Sequence, residues 1–88
     1  MEKPYHFYHW RSSHGAEVDL VIETPTDLFA IEIKSSNHIE GSDLRGLTSF
    51  NKDYPKAKPL CACTCRLPYN VNNIDVIPWQ DLFKLLEV

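Results

Sequence analysis

"GAEVDLVIETPTDLFAIEIKSS", Gly15 to Ser36, holds two runs of strand composition on either side of a turn, and both runs carry charge inside them. Glu17–Glu23 reads as one strand and Leu28–Ser35 as the next. Apolar residues are the majority in both, and "TPTD" between them puts Pro25 at a favoured central turn position. Side chains alternate along a strand. Val18, Leu20 and Ile22 therefore share one face of the first run, and Glu17, Asp19, Val21 and Glu23 the other. On the second run Phe29, Ile31 and Ile33 share a face, opposite Leu28, Ala30, Glu32 and Lys34. The expectation is a hairpin with one apolar face and a second face that carries every charge.

Register sharpens this. With Pro25 and Thr26 at the centre of the turn, Thr24 pairs with Asp27, Glu23 with Leu28 and Val21 with Ala30. Continuing outward places Asp19 opposite Glu32 and Glu17 opposite Lys34, and a one-residue slip would mix the faces. Opposed side chains have Cβ atoms about 4.5–5.5 Å apart, where like charges destabilise. Two carboxylates so placed share a proton, pair with a cation or hold a metal. Lys34 offers one positive charge and leaves oxygen ligands for a hard divalent ion. The plainer interpretation of these four residues is a solvated face of ion pairs contributing about 0–1 kcal/mol each. An ion-pair face, however, would alternate its signs rather than oppose two acids.

Working outward, Tyr5–Trp10 alternates aromatics with histidines and reads as a first strand, followed by the turn "RSSHG". Ser42 or Asp43 caps a helix running to about Tyr54, with Leu44, Leu47, Phe50 and Tyr54 on one stripe; Gly46 weakens it by about 1 kcal/mol relative to Ala. Lys58–Arg66 is a fourth strand, "LPYNVNN" a loop and Ile74–Ile77 a fifth strand. Pro78 opens a last helix with Trp79, Leu82, Phe83 and Leu86 as its apolar face. The expected order is β-β-β-α-β-β-α, an α/β fold with a mixed sheet, because a helix between two strands makes a parallel crossover.

The chain of 88 residues allows one domain, spanning 1–88, and its 43% hydrophobic and 24% charged content is ordinary for a globular protein. No apolar run approaches the length of a membrane span, and the N-terminus lacks a signal peptide's pattern, so the expectation is a cytoplasmic protein with no membrane partner. A net charge of −3 argues against gripping nucleic acid by bulk electrostatics but leaves room for a local or metal-bridged contact. Cys61, Cys63 and Cys65 alternate along one strand, which suits packed thiols in a reducing compartment better than a disulfide framework or a zinc site. Tyr5, Phe7, Tyr8 and Trp10 read as packing aromatics, His14 as a turn residue, and Arg45, Lys52, Lys56 and Lys58 as a solvated basic set.

Asp19 with the later Glu32-Ile33-Lys34 resembles the D…(D/E)xK signature of restriction-endonuclease-like nucleases, and "GAEVD" resembles the entry to it in resolvases of that superfamily. Over nearly the whole chain, "FYHWRSSHGAEVDLVIE", "AIEIKSS", "DLRGLTSF" and "VIPWQDL" resemble the C-terminal domain of unknown function carried by many prokaryotic AAA-type ATPases. The resemblance implies a restriction-endonuclease-like fold and a nuclease acting on DNA or RNA with Mg²⁺ or Mn²⁺. Asp19 and Glu32 would be its metal ligands with the Ile33 carbonyl, Lys34 its catalytic lysine and Glu17 an accessory acid. It also implies an alternative, a non-catalytic module that contacts protein or nucleic acid beside an ATPase domain. The departure from the pattern is the missing N-terminal core helix: only Met1–Pro4 precede the first strand. An excised C-terminal piece, or a homodimer through exposed sheet surface, would account for it.

Overall fold

The computed structural model of the chain describes residues 5–85. Six strands form one sheet: β1 (His6–Arg11), β2 (Glu17–Glu23), β3 (Leu28–Ile33), β4 (Lys58–Cys63), β5 (Tyr69–Val71) and β6 (Ile74–Pro78). Their spatial order is β1-β2-β3-β4-β6-β5. A 3₁₀ turn (Gly41–Leu44) leads into α1 (Arg45–Asp53), and α2 (Trp79–Leu85) follows β6. Among the described residues no helix precedes β1, and none is long and apolar enough to cross a membrane.

The turn chemistry sets the β2–β3 register as expected. Thr24 donates its N–H to the Asp27 carbonyl at 2.9 Å, Glu23 lies opposite Leu28 and Val21 opposite Ala30. β3 and β4 run parallel, as a crossover through α1 requires, and β4 and β6 are parallel as well. The sheet is thus mixed, with an antiparallel hairpin at either side of a parallel centre.

Four expectations are corrected. First, "LPYNVNN" is not merely a loop. Tyr69–Val71 forms β5, antiparallel to β6 through the two-residue turn Asn72–Asn73, whose φ values are +51° and +65°. Asparagine tolerates that left-handed backbone, and two such residues make the hairpin turn whose twist matches its strands. The order becomes β-β-β-α-β-β-β-α. Second, the face of the first hairpin expected to carry every charge, and to be solvated, is largely core. Val21, Ala30, Cys61 and Cys63 pack there under Leu47 and Phe50 of α1, while Ile22, Phe29, Ile31, Leu60 and Ala62 pack on the other side with Leu82 of α2. Helices cover both sheet faces, so charge survives only where helix cover ends.

Third, Val18 does not share a face with Leu20 and Ile22. It is fully buried in the α1 cluster, because β2 carries a bulge: Tyr8 pairs with Val21 and Trp10 with Val18, leaving Asp19 and Leu20 against the single residue His9. An extra residue on one strand breaks the alternation at that point. Fourth, Trp79 is half-exposed rather than core, and only Leu82 of the described α2 residues is buried; Leu86 lies outside the described residues. The helix starts directly after β6, so its first turn stands over the sheet's rim. Element ends also move: β3 stops at Ile33, β4 at Cys63, and the first turn after Glu40 is 3₁₀ rather than α. Trp10 packs edge-on against Phe50, at 5.1 Å between centroids, while Phe7 and Tyr8 remain exposed.

Candidate functional site

Where helix cover ends, the bulge in β2 shapes what remains. The β2–β3 ladder runs regularly to Leu20 opposite Ile31 and then stops. Thr24–Asp27 is a hydrogen-bonded pair, so every second pair along the ladder should be bonded, and the Ile33 N–H should reach the Val18 carbonyl. It instead donates to Asp19 Oδ2 at 2.9 Å. In return, the Asp19 N–H donates to Glu32 Oε1 at 3.3 Å. Two carboxylates thus replace backbone groups as the acceptors that hold β2 to β3 beyond the bulge. Lys34 continues the β3–β4 pairing, giving its N–H to the Ala62 carbonyl at 2.9 Å, and its Nζ lies 3.5 Å from Glu32 Oε2.

Asp19, Glu32 and Lys34 therefore come together as their spacing anticipates, though through a bulge rather than a straight ladder. The electrostatics follow from burial. The Glu32 side chain is only 13% exposed. Desolvation pushes its pKa above the ordinary carboxylate value and the Asp19 charge adds to that, against the opposing pull of the Asp19 N–H and Lys34. Cys61, its neighbour on β4, is held as a neutral thiol, with burial pushing its pKa up to about 12. All three cysteines are free and buried, packing as the sequence led us to expect.

Glu17 behaves otherwise. It does not pair with Lys34; its carboxylate forms an ion pair with Arg11, its cross-strand partner on β1. The bulge again accounts for this, since it ends the β2–β3 ladder before Glu17 can come opposite Lys34. Ile33 contacts Asp19 through its N–H.

Glu32 and Lys34 open into a cleft of about 600 Å³ walled by His14, Gly15, Ala16, Glu17, Ser42, Asp43, Arg45 and Gly46. Two local structures build its far walls. In the turn after β1, the Ser12 hydroxyl accepts N–H groups from His14 and Ala16, and Gly15 takes a φ of +88° that a larger residue would resist. Across from it, the Asp43 carboxylate accepts the Glu40 N–H at 2.9 Å and orders the 3₁₀ turn that delivers Arg45 to the start of α1. Gly46 is what lets α1 approach. A Cβ there would sit 1.8 Å from the Glu17 carbonyl oxygen. In the sequence, Gly46 looked like a mere helix weakener and Arg45 like solvated surface. Neither has a one-dimensional signature, because the close approach joins elements distant in the chain.

None of the curated proteins compared with the chain matches it. Its residues 1–82 match the family described as Domain of unknown function (DUF4143). That match takes in every strand, α1 and the whole cleft just described, and on it the chain belongs to the DUF4143 family.

Proposed function

We propose that this domain is a divalent-metal-dependent phosphodiesterase of the nuclease kind, with Asp19 and Glu32 as metal ligands and Lys34 as the cation at the reacting phosphate. The observation that carries it is the meeting of those three side chains where β2 and β3 part, with Glu32 and Lys34 opening into a polar cleft.

The donor set suits a small hard cation. Asp19 Oδ1 and Glu32 Oε2 are the carboxylate oxygens that take no backbone N–H, and the Ile33 carbonyl is the adjacent third donor of the proposal. Mg²⁺ takes one or two carboxylates and keeps several waters, and Mn²⁺ accepts similar ligands. Zinc would need more: among the described residues no three His, Cys, Asp or Glu side chains converge. Such an ion, when bound, would polarise a phosphoryl oxygen and lower the pKa of a coordinated water. The chain's own contribution is orientation and charge. The Ile33 N–H holds the Asp19 carboxylate, and the Lys34 ammonium sets positive charge beside Glu32, where negative charge would grow on phosphorus.

Mn²⁺ titration followed by melting tests the metal site. Mn²⁺ should raise the melting temperature of the wild type, because a ligand that binds only the folded state stabilises it. Asp19→Asn should fold, since its amide oxygen still accepts the Ile33 N–H, yet lose the Mn²⁺ effect. Lys34→Ala should cut DNA or RNA cleavage by about a hundredfold or more. Absence of both metal-dependent stabilisation and cleavage would sink the reading.

One observation favours a second reading, a non-catalytic module docked on an AAA-type ATPase. Phe7, Ile33 and Phe83 are 59%, 53% and 51% exposed. Association with an ATPase domain that survives Lys34→Ala but not Phe83→Ser would select it.

A further inference from the structure

The cleft beside Lys34 holds one guanidinium that its neighbours leave without a partner among the described residues. Its acids are spoken for: Glu17 by Arg11, Asp43 by the Glu40 N–H, and Glu32 by the Asp19 N–H and Lys34. Lys34 is paired with Glu32 in turn, but Arg45 is not paired. Among the described residues Arg45 has no ion pair and no side-chain hydrogen bond, and His14 Nδ1 meets only the neighbouring Ser13 hydroxyl, at 3.3 Å. The group that fits an unpaired guanidinium in a polar cleft is an anion.

The geometry points to a phosphate. Arginine presents a planar fork of donors that matches phosphate oxygens in a way a lysine point charge does not. Arg45 is also well anchored for that task. It is the first residue of α1, and the next residue, Gly46, rests against the Glu17 carbonyl with no room for a side chain between them. Ser42 and His14, both side chains with hydrogen-bonding groups, line the same cleft. We infer that Arg45, together with His14, binds the phosphate of a nucleic-acid strand next to the one held at Lys34, and so positions the strand in the cleft. This rests on reading the same cleft as a phosphodiester site. It makes Arg45 and His14 positioning residues rather than catalytic ones. It also reconciles a chain of net charge −3 with a polyanionic ligand: the grip is local, involving one or two phosphates.

The test is equilibrium binding of a short fluorescent oligothymidine with phosphorothioate linkages to the full chain, in Ca²⁺ and across a salt series. Arg45→Gln should weaken binding by about tenfold. It should also flatten the dependence of log affinity on log salt by about 0.7, the loss of one single-strand phosphate contact. His14→Gln should weaken binding less. Lys56→Gln is the charge-matched control, because Lys56 is exposed and precedes β4, at the opposite end of the sheet from Lys34. An Arg45→Gln effect no larger than that of Lys56→Gln would overturn the inference, as would failure of the wild type to bind. Thymidine monophosphate and inorganic phosphate form a second arm. An Arg45 effect on these but not on the oligonucleotide would overturn the strand-positioning claim. If cleavage fails while the Arg45-dependent oligonucleotide binding holds, the catalytic proposal falls and this one stands.

Discussion

At the scale of single residues, Glu32 and Gly46 each serve the site at a cost elsewhere. Glu32 gains protons more readily in the folded state than in the unfolded one, since burial and Asp19 raise its pKa. Between the ordinary glutamate pKa and the raised one the native state therefore carries more protons, and stability falls as pH rises through that window. The cost is fully present at neutral pH and absent in acid below the ordinary value. Glu32→Gln keeps an oxygen for the Asp19 N–H, so urea midpoints should show it more stable than wild type at neutral pH, with the difference closing in acid. Gly46→Ala should move the other way. Alanine improves helix propensity by about 1 kcal/mol, but its Cβ would overlap the Glu17 carbonyl, and overpacking costs about 1–3 kcal/mol or more. Against a backbone atom the overlap wins. A net loss of about 2 kcal/mol in chemical denaturation is the expected result, together with displacement of Arg45 and weaker oligonucleotide binding.

Among the elements, the β5–β6 hairpin was the one least legible in advance, and its signal was there to read. Asn72-Asn73 separates Val71 from Ile74 by two residues that both tolerate positive φ, which is a hairpin turn pattern. The high content of turn-forming residues in "LPYNVNN" concealed a strand of only three. One support is long-range, the Tyr69 hydroxyl accepting the Ile39 N–H at 3.0 Å, and one lies within the hairpin, where the Asn70 amide donates to Asp75 at 3.1 Å. Asn73→Ala should destabilise the domain by about 1 kcal/mol relative to Asn73→Gly, because alanine resists the left-handed region and glycine does not. Thermal melting of the two variants checks this. The first hairpin was far more legible. Its turn residues and alternation gave the register from Glu23–Leu28 to Val21–Ala30 correctly. They missed the bulge, because a bulge on β2 depends on what β1 pairs with, and no local periodicity in "EVDLVIE" announces it.

For the molecule as a whole, the same distinction explains what the sequence revealed. The α/β class, the parallel crossover through α1 and the grouping of Asp19, Glu32 and Lys34 follow from patterns along single segments. The two-sided core does not, since charge at the rim made Val21 and Ala30 look like members of a wet face until α1 was placed over them. Cys61, Cys63 and Cys65 provide a reporter of this core. They line β4 and its exit near the centre of the sheet, all buried, with Cys61 held as a thiol. A thiol reagent should reach them only when the sheet opens. Labelling rates should therefore rise with denaturant along a slope close to that of global unfolding. Rapid labelling in native buffer would show that β4 opens independently of the rest of the sheet.

The extra residue in β2 acts as a phase change in the strand. Upstream of it the strand is in register with β1 alone, and downstream with β1 and β3 together; Asp19 falls where the second partner drops out. Substitutions can alter the chemistry of that position but cannot re-time the strand. A single-residue deletion there, or an insertion opposite it beside His9, would restore regular alternation and turn Glu17 and Val18 over together. The kind of mutation that separates this fold from its acidic pair is therefore a change in chain length, by one residue, in a hairpin that would otherwise still close.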